Sequence, residues 1–145
     1  MINRIDHIAI AVQDLGAALE TFINVLGCDP DSVTVEEVPA EKVRVAFIPV
    51  GQSHIELLEP LAEDSAVAKF LAKSGEGMHH IALATDGLEP EVARAAGLGL
   101  SPLGEPRTGA GGKKIVFLHP KQTNRVLFEF VEPKQSHHQA LTTKP

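Results

Sequence analysis

"RIDHIAIAVQDL" at residues 4–15 and "MHHIALATDGL" at residues 78–88 decide the fold, because the second restates the first. In each, apolar side chains alternate as in a half-buried strand, and a turn signal, Asp14 or Gly87, precedes a helical pattern. His7 and His80 interrupt the apolar runs in the same slot. Setting one histidine on the other fixes an offset of 73 and gives five identities: 7/80, 8/81, 9/82, 11/84 and 15/88. The same offset carries Glu56 onto Glu129, Glu59 onto Glu132 and Pro60 onto Pro133. Two distant segments agreeing on one offset point to a tandem duplication.

Outward from these strands the halves keep step. Asp14 caps a helix whose apolar positions (Leu15, Ala18, Leu19, Phe22, Ile23, Leu26) form one stripe, and Gly27 ends it. The runs "SVTVEEV", "KVRVAFIPV" and "SHIELLE" follow as strands. The second half offers the strand "HHIALAT", the helix "LEPEVARAAG", a short strand around residues 99–104, then "KKIVFLH" and "RVLFEFVE". Each half reads β-α-β-β-β. The expectation is an α+β chain of two tandem βαβββ modules, about 4–60 and 78–133, joined by a helix over about 64–75. Together they make one domain over 1–133, followed by a polar tail, 134–145. The halves are expected to pack through their helix stripes, each being too small to hold a core alone.

Composition narrows the partners. The chain has 145 residues, 43% hydrophobic and 22% charged, as ordinary globular proteins do. A net charge of −6 with a pI near 5.6 argues against nucleic acid, which needs a basic face. No apolar run approaches the ~20 residues of a membrane span. The single Cys28 excludes an internal disulfide and fits a reducing compartment. A first strand starting almost at Met1 leaves no room for a targeting peptide, so a cytoplasmic location is expected. The absence of Trp and Tyr weakens any reading based on stacking a planar ligand.

Alternation places His7, Ala9 and Ala11 on one strand face, and His80, Ala82 and Ala84 on its counterpart. Glu56 and Glu129 each sit between apolar neighbours. Taken singly, such a histidine is usually a hydrogen-bonded structural residue and such a glutamate a solvated edge residue. Together the four share one register, with alanines leaving a hollow beside them. A buried carboxylate is costly unless paired or bound to a cation. Two imidazoles and two carboxylates suit a divalent first-row metal with positions open to substrate. "GAGGKK" reads equally as an anion cradle, with Arg107, Lys113 and Lys114 nearby, or as a glycine-rich hairpin turn. "FLHPK" brings His119 and Lys121 to a strand end. His54 is expected to point outward, and His137 and His138 to be solvated.

Paired βαβββ modules with such residues on their first and last strands resemble the vicinal oxygen chelate superfamily. Within it, "DHIAIAV", "DSAVAKFLAKSGEGMHHIA", "GAGGKKIVFLHP" and "VLFEF" resemble the methylmalonyl-CoA epimerase family, over nearly the whole chain to about residue 133. The resemblance implies a cupped mixed sheet, usually in a homodimer, and an acyl-CoA substrate. It implies a divalent ion (cobalt, manganese, nickel, magnesium or zinc) at His7, Glu56, His80 and Glu129. It also implies epimerisation at the α-carbon by removal and return of a proton. By the resemblance the "FLHPK" segment, with Lys121, would line the mouth of the site; in the anion-cradle reading of "GAGGKK", Arg107, Lys113 and Lys114 would meet a phosphorylated carrier.

Three positions depart from the family. Several members carry Gln at the slot of Glu56, some carry a catalytic Glu near Val45, and the usual Gly-Gly before the last strand is replaced by "TNR". Glu56 would then do the work of the absent carboxylate, with Glu129 as the second base. A glyoxalase I-type lactoylglutathione lyase shares the four-residue set, but the segments outside it favour the epimerase. A ring-cleaving dioxygenase needs two histidines and one carboxylate. A non-enzymatic small-molecule-binding module has no use for four ligands and wants aromatic walls.

Overall fold

The computed structural model describes residues 1–134. Strands β1 (Ile2–Ala11), β2 (Thr34–Val38), β3 (Val43–Val50) and β4 (Ser53–Pro60) belong to the first half, with helix α1 (Leu15–Leu26) after β1. Helix α2 (Ala66–Ser74) leads to the second half. There β5 (Gly77–Thr85), α3 (Leu88–Gly97), β6 (Pro102–Thr108), β7 (Lys114–Leu118) and β8 (Phe128–Glu132) repeat the order. One eight-stranded sheet results, in the order β2-β3-β4-β1-β5-β8-β7-β6. It is mixed and cupped, and the fold is α+β as expected. The glycine-broken strand expected at 99–104 instead runs over Pro102–Thr108, with Gly104 at φ +83° inside it.

The duplication is written into the strand register. Parallel pairing sets Ile8 beside Ile55 and Ala9 beside Glu56; in the second half Ile81 lies beside Phe128 and Ala82 beside Glu129. All four pairs obey the offset of 73. Antiparallel pairing of β1 with β5 sets His7 against Ala82 and Ala9 against His80, so Ile8 and Ile81 mark a pseudo-twofold axis. Each imidazole thus faces an alanine of the other half.

The halves join through this β1–β5 pairing, not through their helices. The apolar stripe of α1 packs on its own module, where Leu15, Ala18, Leu19 and Phe22 meet Ala46, Ile48 and Leu57. Helix α3 does likewise, with Leu88, Val92 and Ala95 against Val116, Leu118 and Phe130. Backbone pairing between the central strands already supplies a continuous sheet, so no helix–helix seam is required. Leu15 and Leu88, again 73 apart, are both buried, each contributing roughly 1.5–3 kcal/mol.

Glu59 and Glu132, which recur at the same offset, have an architectural task. Each carboxylate accepts a hydrogen bond from the first backbone N–H of its module's helix, Leu15 at 2.6 Å and Leu88 at 3.4 Å. An anion there satisfies an orphan donor and meets the positive end of the helix dipole. Asp14 adds a side-chain cap to Ala17 N–H at 3.0 Å, and Gly27 closes α1 at φ +62°. Among the described residues no helix is long and apolar enough to cross a membrane.

Candidate active site

With the convex face covered by α1 and α3, the concave face encloses a cavity of about 290 Å³. His7, Glu56, His80 and Glu129 all line it, and all four are buried. Val45, Leu58, Ile115 and Val131 supply its apolar wall, and Ala66 and Val67 of α2 close one side. The alanines beside the histidines are fully buried, leaving room for the imidazoles above them.

Three of the four polar groups converge on one point. His7 Nε2 lies 3.1 Å from His80 Nε2 and 3.5 Å from Glu129 Oε1, and His80 Nε2 lies 3.7 Å from Glu129 Oε2. Glu56 stands on the other side of His7, its Oε2 2.8 Å from Nδ1. The same Nδ1 meets Asp6 Oδ2 at 2.7 Å. His7 is therefore the hub of two sets: His7, His80 and Glu129 through Nε2, and Asp6, His7 and Glu56 through Nδ1.

Asp6 is the site residue that alternation conceals. A regular strand would turn it away from His7, but the β1–β5 register shifts between Ile5 and His7, and both side chains become buried in succession. Asp6, 1% exposed, also receives Lys113 Nζ at 3.0 Å. The only sequence sign was a charged residue directly preceding the repeated histidine.

The electrostatics follow from crowding. Burial alone would lower the His7 pKa, but hydrogen bonds to Asp6 and Glu56 and the charges of Glu56 and Glu129 outweigh it and raise it to about 9. His80 goes the other way: burial, then the neighbouring His7 and His79, push it well below the ordinary 6.5. Burial raises Glu129 to about 8, against the pull of His7. Burial would also raise Asp6, yet its bond to His7 and the charge of Lys113 hold it below the usual carboxylate range.

The basic residues divide. Arg107 and Lys113 line the cavity, but Arg107 Nε is bound to Glu41 at 2.7 Å and Lys113 to Asp6. Lys114 and Lys121 are exposed and do not line it. "GAGGKK" is the β6–β7 hairpin connection. Its backbone donors are spent internally, Gly109 on Lys113 O, Gly112 on Gly109 O and Gly111 on Glu36 Oε1. It is a turn, not an anion cradle. Glu41 lines the cavity, whereas Glu37 is exposed and paired with Arg44. His54 does not point outward: it shares the face of Glu56, is half-buried, and its Nδ1 has no hydrogen-bond partner. His137 and His138 lie outside the described residues.

This sheet and its cluster define a class. The profile of the Glyoxalase/Bleomycin resistance protein/Dioxygenase superfamily matches residues 6–117. The ethylmalonyl-CoA/methylmalonyl-CoA epimerase of Cereibacter sphaeroides is 40% identical over 132 residues, 89% of this chain and 97% of that protein. The human mitochondrial methylmalonyl-CoA epimerase is 38% identical, covering 88% of this chain and 73% of its own. A methylmalonyl-CoA epimerase solved in complex with methylmalonyl-CoA and NH4+ superimposes with a TM-score of 0.87 and 40% identity, covering 92% of this chain and 96% of that one. The chain belongs to this superfamily and, within it, to the methylmalonyl-CoA epimerase family. Enzymes of the superfamily typically use a divalent metal, and the His and Glu groups gathered here could bind one.

Proposed function

We propose that the chain is a metal-dependent epimerase that interconverts (2R)- and (2S)-methylmalonyl-CoA by removing and returning the α-proton. The observation that carries this is the placement of Glu56 and Glu129. Both are buried in one cavity, and they arrive on β4 and β8, either side of the central β1–β5 pair. An epimerase needs one group to take the proton from one face of the α-carbon and another to return it on the opposite face. Relatives at about 40% identity named for this reaction support the substrate.

The donor set fits a divalent ion. Ligands at ~2.1 Å from a common centre stand about 3.0–3.4 Å apart in octahedral or tetrahedral geometry. The spacings among His7 Nε2, His80 Nε2 and Glu129 run from 3.1 to 3.7 Å. These three would hold the ion. Glu56 stands apart from them on the Nδ1 side of His7 and stays the proposed fourth ligand from the sequence pattern, since Asp6 alone suffices to accept the one Nδ1–H of a singly protonated His7. Nitrogen and carboxylate donors are compatible with cobalt, manganese, nickel, magnesium or zinc. Such an ion, when bound, supplies positive charge for the substrate's carboxylate and thioester oxygens as the α-proton leaves.

The chain's own residues do the rest. A carboxylate has two oxygens, so Glu56 and Glu129 can each offer one to the ion and one to the proton. Val45, Leu58, Ile115 and Val131 exclude water around the reacting carbon, and Val45 supplies no base of its own. Arg107 faces the cavity and is our assignment for a carrier contact there. The single domain over 1–133 and the cytoplasmic location stay as proposals read from the sequence pattern and composition, and the homodimer as one drawn from the resemblance.

The experiment pairs metal content after purification with α-proton exchange of methylmalonyl-CoA in deuterated buffer. Metal-reconstituted protein should exchange the α-proton and scramble the two epimers, and chelation should abolish both. Reconstituted protein that holds a divalent ion but exchanges no α-proton would refute the reading.

A further inference from the structure

Two hairpins, one from each module, meet across the cavity. Strands β2 and β6 end the sheet at opposite sides, and each pairs with a single neighbour, β3 or β7. No ladder joins these two ends among the described residues, yet the cupping of the sheet brings them together. Gly111 N–H donates to Glu36 Oε1 at 2.6 Å, and Arg107 Nε donates to Glu41 Oε1 at 2.7 Å. Val38 and Ala110, one from each side, pack on the same apolar cluster. Lys113, at the foot of the second hairpin, reaches Asp6 of the first module at 3.0 Å.

Opposite charge makes the fit. In the first hairpin, residues 36–42 read "EEVPAEK", with three glutamates and one lysine. In the second, residues 107–114 read "RTGAGGKK", with three cations and no carboxylate. These are the same hairpin in two copies of one module, and they have diverged to opposite sign where they touch. All three carboxylates that hold the 107–113 segment, those of Asp6, Glu36 and Glu41, come from the first module.

The seam is also where the cavity meets water. Val38 and Glu41 line the cavity from one side and Arg107, Gly109 and Ala110 from the other, while the side chains of Arg107 and Glu41 are 41% and 31% exposed. The cavity floor is continuous sheet, tied by backbone ladders. The polar bonds across the seam all end on side chains, and such partly exposed charged contacts are individually weak and screened by salt. A joint of this kind opens before the sheet does. A cavity that must take in a thioester, and then keep water from its reacting carbon, needs one wall that opens.

We propose that the two hairpins form an electrostatic clasp that opens to admit the substrate and shuts water out of the cavity. Glu36 and Glu41 are its positioning residues, holding Gly111 and Arg107 in the closed form. The consequence for catalysis rests on the epimerase reading above; the clasp itself does not.

The test reads amide hydrogen exchange residue by residue in the full chain, with no substrate bound. Glu36→Ala should speed exchange roughly tenfold across residues 107–113 beyond Gly111 itself, and Glu36→Gln, which keeps a neutral acceptor, should do so by less. Arg107→Glu should speed exchange at residues 36–42 in return. Adding Glu41→Arg should restore protection, because the pair is then only reversed. Salt at about 1 M should loosen the same segments in the wild type. Amides of β1 and β5 should keep their protection throughout, which also shows that each variant is folded. The consequence is read with methylmalonyl-CoA in deuterated buffer. Glu36 does not line the cavity and so is no candidate base, yet Glu36→Ala should raise the ratio of α-proton exchange to inversion several-fold, as water reaches the carbon once its proton has left. Unchanged exchange at 107–113 in Glu36→Ala, no restoration in the reversed pair, or a wild-type ratio of exchange to inversion overturns the proposal. Wild-type protein that exchanges no α-proton refutes the epimerase instead, and the amide measurements still decide the clasp.

Discussion

Replacing Asp6 by Asn tests the least visible part of the site while nearly preserving its shape. Asp6 touches two cation-capable groups, His7 Nδ1 at 2.7 Å and Lys113 Nζ at 3.0 Å, and is itself 1% exposed. Removing one member of a buried pair costs about 3–5 kcal/mol, but Lys113 is one-fifth exposed and retains water, so about 2 kcal/mol is expected. Losing the carboxylate behind a metal-bound histidine typically weakens metal binding 10–100-fold, or about 1.4–2.7 kcal/mol. Chelator competition should show that loss, and metal-free melts should show the stability change. Adding Lys113→Gln should restore much of the stability and none of the affinity, because only Lys113 is relieved of its missing partner. Asp6→Asn protein with wild-type metal affinity would refute the orienting role.

Glu56→Gln should slow epimerisation by about 10²–10⁴-fold, the usual range for a lost general base, while one enantiomer still exchanges its α-proton; full activity in this variant would make 56 a ligand at most, with Glu41 the next base to test. Stability of chelator-treated protein should fall as pH rises above about 6.5. His7, raised from 6.5 to about 9, contributes fully below 6.5 and loses its contribution as pH rises through about 9; Glu129, raised from 4.5 to about 8, is penalised over its own window. Asp6 acts oppositely, contributing above its ordinary 3.8 and losing that contribution on acidification. Below about 6.5 the lowered His79 and His80 act the opposite way, so melting temperatures that stay flat or climb between about pH 6.5 and 9 would contradict this. Residues 78–133 expressed alone should show no cooperative unfolding as a monomer, since β5 would lose β1 as its partner and expose an open edge; a sharp monomeric transition would count against a single domain.

Period-2 and period-3.6 patterns, read with one internal offset, were enough for the element order and for bringing His7, Glu56, His80 and Glu129 to one cavity, though not for their grouping, in which Glu56 stands apart with Asp6. They worked because a duplication makes each half a check on the other: Glu59 and Glu132 were conspicuous before their helix-capping role was known. What escaped were features that break periodicity. The shift between Ile5 and His7 brings Asp6 into the site, where strict alternation would turn it to the opposite face. The helix stripes were real but satisfied locally, because stripe geometry says which face is buried and not which module buries it. Glycine content around "GAGGKK" could not tell a turn from a cradle, since the difference is whether the N–H groups are free, and Glu36, distant in sequence, takes one of them.

The offset that reveals the duplication also shows where its symmetry was given up. Asp6 and His79 occupy equivalent positions, and each places a side-chain atom against Nδ1 of the histidine that follows, at 2.7 and 2.8 Å. Geometry is preserved while charge is not. A carboxylate behind His7 favours its protonated form; an imidazole behind His80 disfavours it, in addition to burial and the charge of His7. Their Nε2 atoms can then stand 3.1 Å apart as donor and acceptor, whereas two imidazoliums would repel. The same inequality matters to a site whose substrate is itself unsymmetrical: a perfect twofold offers both halves the same field, but a methylmalonyl thioester has a carboxylate on one side of its α-carbon and a thioester on the other. One substitution between equivalent positions, Asp for His, is enough to give a symmetric frame two electrostatically distinct halves, and it lies directly behind the histidines that the frame brings together.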